Sequence, residues 1–189
     1  MSEEFIENQV FEKVDYTVIS TKSEYDSCTF IDCNFSNVDL SDVSFTECEF
    51  DSCDLTMAKL KNTALKEVRF NNCKLMGLDV SICNPFLLEM EFNNCNLNLA
   101  SFYQLKLKEI RFTNCSLVEV DFTEADITAV AFNNCNLDRA IFENTILEKA
   151  DFRSSSNYTI DPEQNRIRKA KFSEAGVAGL LHKYDIKIE

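Results

Sequence analysis

A large apolar side chain returns every five residues, and that spacing decides what the chain can become. The series runs Phe30, Phe35, Leu40, Phe45, Phe50, Leu55, Leu60, Leu65, Phe70, Leu75, Val80, slips by two, and resumes as Phe92, Leu97, Phe102, Leu107, Phe112, Leu117, Phe122, Ile127, Phe132, Leu137, Phe142, Leu147, Phe152. Five fits neither the 3.6 period of a helix nor the 2 of a long strand. It fits a short strand plus a corner, repeated. Two residues before most large positions stands a slimmer apolar one, as at Cys28, Cys33, Val38, Val43, Cys48, Cys53 and Ala58. Residues two apart on a strand share a face, so each repeat sends one small and one large side chain inward. The other positions hold mostly Asn, Asp, Ser, Thr, Glu, Lys and Arg, which suit corners and solvent.

A second period overlies the first. Asn71-Asn72-Cys73, Asn93-Asn94-Cys95, Thr113-Asn114-Cys115 and Asn133-Asn134-Cys135 follow one another at 22, 20 and 20 residues. Twenty over five is four, so each coil has four sides. About seven coils at roughly 4.8 Å give a rod roughly 34 Å long, with like residues stacked on like. Phe172 extends the phenylalanine column by one coil.

Runs such as Val38-Asp39-Leu40-Ser41, Ala125-Asp126-Ile127-Thr128 and Ala150-Asp151-Phe152-Arg153 resemble the A-(D/N)-L-x-x unit of pentapeptide repeat proteins, over about residues 24–152. The resemblance implies an all-β fold, a right-handed quadrilateral parallel β-helix. The frequent Phe and Cys look most like the quinolone-resistance (Qnr) branch. That likeness implies binding to DNA gyrase or topoisomerase IV as a DNA mimic, dimerisation through the C-terminal end, and loops projecting from the rod. Here only the two extra residues of the slip, in 81–87, are available for a loop, with Pro85 at a bulged corner and Leu87 as the resumed large position.

Three segments follow: an N-terminal cap over 1–22, the repeat helix over 23–152, and 153–189 as an irregular last coil, a helix and a tail. In the cap, Phe11, Val14 and Tyr16 form one irregular side. After Ser173, a candidate N-cap, Val177, Leu180, Leu181 and Tyr184 take the spacing of one apolar helix face. Ile186 and Ile188 alternate as in a final short strand. These six residues are the candidate dimer contact, or else a cap folded on the last coil.

Eight of the nine cysteines hold the small inward position, with Cys83 in the slip. Columns of thiols do not converge on a point as zinc ligands do, so core packing accounts for them. His182 is the only histidine and there are three glycines, which leaves no histidine cluster and no phosphate loop. No enzyme, metal or cofactor is expected. The start is acidic, no apolar run is long enough to cross a membrane, and the expected location is cytoplasmic.

Net charge is −13, and residues 1–60 hold 14 acids against 3 bases. Glu47, Glu67, Glu89 and Glu109 fall in one outward column; Glu49, Arg69, Glu91 and Arg111 alternate in another, and Lys66 and Lys108 flank the acids. With Asp39, Asp42 and Asp51, these carboxylates are either a surface ion-pair ladder or a stripe that imitates a phosphate backbone. The functional expectation is an acidic interaction module for a protein partner, with no direct nucleic-acid or membrane contact. The alternative is a self-associating scaffold with no topoisomerase role.

Overall fold

The computed structural model describes residues 4–18, 23–107 and 110–187. Eleven short strands appear among them: β1 (Glu4–Glu7), β2 (Val10–Glu12), β3 (Ser23–Asp26), β4 (Thr29–Ile31), β5 (Ser44–Thr46), β6 (Glu49–Asp51), β7 (Ala64–Lys66), β8 (Val68–Asn71), β9 (Met90–Asn93), β10 (Arg111–Thr113) and β11 (Phe132–Asn133). All pairs are parallel. One sheet has the order β1-β3-β5-β7, and the other runs β11-β10-β9-β8-β6-β4-β2. The two remaining sides are held by single bridges, such as Asn34 to Asp54 and Asp39 to Lys59. The chain is therefore a four-sided β-solenoid, as the nested periods require. Sides 1 to 4 are centred, in one coil, on Phe45, Phe50, Leu55 and Leu60.

Corners explain how so few glycines suffice. At Asn37, Asp42, Glu47, Ser52, Met57 and Asn62 the backbone turns into the left-handed region, φ 51–66°. Each such residue costs about 1–2 kcal/mol against a helical one. Its amide is in turn placed to donate to the coil ahead: Asn37 to Thr56, Asp42 to Lys61 and Glu47 to Lys66, at 2.9–3.0 Å. The ladder compensates the corners, so ordinary side chains are tolerated where a loop would select glycine.

Inside, nine phenylalanines stack along side 2, from Phe11 through Phe30, Phe50, Phe70, Phe92, Phe112, Phe132 and Phe152 to Phe172. Successive ring centroids lie 4.7–5.4 Å apart with planes within 15°. Rings of the other sides meet them edge-on, as Phe45 of side 1 meets Phe50 at 5.3 Å and Phe122 of side 4 meets Phe132 at 5.8 Å. The stack thus extends one coil beyond the repeat at each end. At the N-terminal end β1 pairs with β3 at an offset of 19 residues rather than 20, which is why this segment reads as out of phase.

Two local expectations change. The slip lies later than it reads: Cys83 is buried in the regular small position, its amide bonding Val80 O as Thr63 bonds Leu60 O. The amide of Asn84 still reaches Thr63 O, and that of Glu89 reaches Leu65 O, so the extra residues bulge between them. Leu87 is not the resumed core position. It takes the left-handed corner, φ 55°, and is 63% exposed, which turns the next residue, Leu88, inward against the core. Pro85 has no amide to join the ladder, and Asn84 Oδ1 accepts the Phe86 amide at 3.0 Å to start the turn.

Residues 153–171 lack the motif yet complete a coil, bridging Asn136 to Ser156, Ile146 to Arg166 and Asp151 to Lys171. Beyond it, the expected amphipathic helix is two 3-10 turns, Ala175–Leu180 and His182–Tyr184, and 185–187 form no strand. The cause is close packing. A Cβ on Gly176 would collide with the Tyr158 hydroxyl, and one on Gly179 with the Tyr158 carbonyl. No helix is long and apolar enough to cross a membrane among the described residues.

Candidate interaction surface

The inward small positions come first, because they determine what is left for the surface. Cys33, Cys53, Cys73, Cys95, Cys115 and Cys135 stack along side 3, and all nine cysteines are buried and free. The stacked thiols bond main-chain oxygens: Cys53 Sγ donates toward Phe30 O, Cys73 toward Phe50 O and Cys95 toward Phe70 O, all at 3.3 Å. Hydroxyls and an amide do the same where cysteine is replaced. Thr63 donates to Leu40 O, Thr145 to Phe122 O, Ser155 to Phe132 O and Asn165 to Phe142 O, at 2.6–2.9 Å. Burial pushes the thiols of Cys48 and Cys83 up to about 12, so they are inert rather than nucleophilic. No group of three or more His, Cys, Asp or Glu among the described residues is arranged to hold a metal ion. His182 is exposed on the second 3-10 turn.

The carboxylates occupy two regions. Glu47 and Glu67 stand exposed at the corner between sides 1 and 2, with the same left-handed backbone, φ 51° and 53°. Glu89 is the next in that column, since Val68 pairs with Met90, but it follows the bulge and is half-buried. Glu109 lies outside the described residues, as does Lys108. Glu49 and Asp51 point outward from β6 on side 2. Asn71 Nδ2 donates to Glu49 at 2.6 Å, and Asn72 Nδ2 to Asp51 at 3.0 Å. Asp42 sits at the corner of sides 4 and 1, accepting from Asn62 at 2.9 Å, and Asp39 lies on side 4. The predicted set is therefore brought together as Glu47, Glu49, Asp51, Glu67 and Glu89, with Asp39 and Asp42 displaced toward another face.

The alternating column exists in register, Glu49 beside Arg69 and Glu91 beside Arg69 and Arg111. Only Arg69–Glu91 reaches ion-pair range in it, at 4.0 Å, among the described residues. The side chains at this site are held by amide ladders instead, including Asn114 to Asn94 at 3.1 Å and Asn134 to Asn114 at 3.2 Å. Glu47, Glu49, Asp51 and Glu67 make no ion pair among the described residues.

At the C-terminal end, Val177, Tyr184 and Ile186 are exposed while Leu180 and Leu181 are half-buried, so the candidate contact is split by the 3-10 geometry. Ile188 lies outside the described residues. Lys183 ties the segment to the last coil through Asp161 at 2.8 Å and Glu163 at 2.7 Å. What the sequence reading missed is on side 4. Met57, Met76, Ile82, Leu99 and Tyr103 are exposed there or at its corners, and their signal was an apolar residue in an outward slot of the five-residue frame.

Comparison with known proteins agrees with this architecture. The model of the pentapeptide repeat region matches residues 23–85 and 86–161. Two trypsin-treated variants of QnrB1, a plasmid-mediated fluoroquinolone resistance protein, are similar in structure. One is 17% identical with a TM-score of 0.63, covering 99% of this chain and 98% of that one. The other is 19% identical with a TM-score of 0.61, covering 98% and 92%. No curated protein matches the sequence. Proteins of this kind are non-enzymatic. With the family model spanning most of its length and the four-sided solenoid in place, this chain belongs to the pentapeptide repeat family.

Proposed function

We propose that this protein is a non-enzymatic interaction module that presents its acidic sides 1 and 2 to a DNA-binding protein, a type II topoisomerase such as DNA gyrase or topoisomerase IV. The observation that carries the reading is the corner stack of Glu47 and Glu67, one coil apart, with Glu49 and Asp51 beside it and, among the described residues, no ion pair to any of the four. One carboxylate per coil is a charge every roughly 4.8 Å along a straight rigid edge. A protein surface built to neutralise phosphates would meet a similar line of negative charge. The fold likeness to fluoroquinolone resistance proteins supports the choice of partner.

The test is a supercoiling assay with gyrase, with and without a quinolone, titrating this protein, alongside binding at low and high salt. Salt-sensitive binding lost on reversing Glu47 and Asp51 to lysine supports the reading. No binding at low salt, where steering is strongest, removes the topoisomerase.

A further inference from the structure

Away from the two ends, most exposed large apolar residues gather on one face. Among the described residues between Val18 and Val177, Met57, Met76, Ile82, Leu99, Tyr103 and Ile141 lie on side 4 or at its corners, while Phe86 and Leu87 stand apart on the side 1 bulge, Phe86 beside Lys66. Met57, Met76 and Leu99 succeed one another along the corner with side 3: the Met57 amide bonds Met76 O, and Gly77, next along, bonds Asn98 O. Met57 even lies across Gly77, where a Cβ would strike its sulfur. An apolar cluster on a monomer's flat side marks an interaction surface.

Charge says what fits it. Lys59 and Lys61 stand one coil before the centre of the patch, and Asp121 and Glu124 stand one coil after it. None of the four has an ion-pair partner among the described residues. Lys59, Asp79, Ser101 and Asp121 share one column, with Asp79 bridged to Ser101 and Ser101 to Asp121. We infer that side 4 is a self-complementary surface for a second copy of this chain, docked antiparallel about a two-fold axis across the rod between the coils of Asp79 and Ser101. That axis sets Lys59 of each copy opposite Asp121 of the other and Lys61 near Glu124, while Leu99 covers Met76 and Tyr103 faces Ser81. A parallel pairing would instead set Lys59 against Lys61 and Asp121 beside Glu124, like charge on like. The antiparallel contact is close to neutral on a chain of net charge −13. It leaves the acidic corner of sides 1 and 2 free.

Sedimentation equilibrium of the full chain over a concentration series tests this without a topoisomerase present. A dimer is expected. Leu99→Glu and Lys59→Glu should each weaken it by at least about tenfold, the scale of a central interface residue. Glutamate already occupies the next position of the same left-handed corner at Glu119, φ 56°, so Leu99→Glu suits the backbone, and circular dichroism confirms folding. Lys59→Glu combined with Asp121→Lys should restore the dimer, which a merely destabilised protein would not do. A protein that stays monomeric throughout overturns the inference. So does a dimer indifferent to both single changes but lost on Val177→Glu or Tyr184→Glu, since that contact belongs to the C-terminal end.

Discussion

Cys73 donates its thiol to the carbonyl of Phe50, 23 residues earlier, at 3.3 Å, and also approaches Asn71 O at 3.2 Å. The carbonyl belongs to the side 2 stack, so the small residue of one coil satisfies the backbone of the coil before it. Because serine and threonine make the same contact elsewhere in the core, Cys73→Ser should change stability little. Cys73→Ala, which loses the donor and leaves a small void, should cost about 1–2 kcal/mol. Urea midpoints of the two variants, compared at equal slope, check the difference.

The phenylalanine stack should be graded along the rod. Phe112 is fully buried between Phe92 and Phe132, at 5.4 and 5.3 Å. Phe112→Ala should cost about 3–5 kcal/mol, as large cavities do. Phe11 is only partly buried and has a stacked ring on one side alone, Phe30 at 5.1 Å. Phe11→Ala should cost clearly less, and denaturant titration of both variants measures the gradient.

Gly179 packs the C-terminal segment onto the rod, its carbonyl accepting the Ile160 amide at 3.1 Å. Gly179→Ala pushes a Cβ into the Tyr158 carbonyl. The expected result is a local release, worth about 1–3 kcal/mol, that loosens Lys183 from Asp161 and Glu163 while the coils stay folded. Hydrogen exchange should report lost protection near Ile160 with no change at Phe112.

Acid should weaken the contact between the last two coils, where Asp151 meets Lys171 at 3.6 Å. Hydrogen bonding from Arg153 holds the Asp151 carboxyl down at about 2, below its ordinary 3.8. A depressed folded pKa contributes stability that is present above the unfolded value and lost as pH falls through the folded one. The contribution is that of a screened surface pair, about 0.2–1 kcal/mol. Asp151→Asn should therefore lower the thermal midpoint at pH 6 and make little difference at pH 2, as followed by circular dichroism.

Much of this architecture was written in the chain, because each inward slot recurs at a period no other regular structure shares. Phe50, Phe70, Phe92 and Phe112 name side 2 by spacing alone, and the column of Glu47, Glu67 and Glu89 follows from the same count. The four-sided solenoid follows from that periodicity, and the family from the resemblance of its repeat unit. What burial of one side chain in two requires, a sequence must repeat. Only the tertiary structure settled the rest, where the period is silent and contacts between distant residues decide. Leu87 faces out and Leu88 in because a corner must turn left-handed after Pro85. The segment at 173–184 winds as 3-10 turns because Gly176 and Gly179 press against Tyr158. Ser155 and Asn165 carry the pattern into a coil with no motif because their polar groups reach the same carbonyls that thiols reach elsewhere. Side 4 became visible only when Met57, Met76 and Leu99, about twenty residues apart, were stacked into one surface by the ladder between coils.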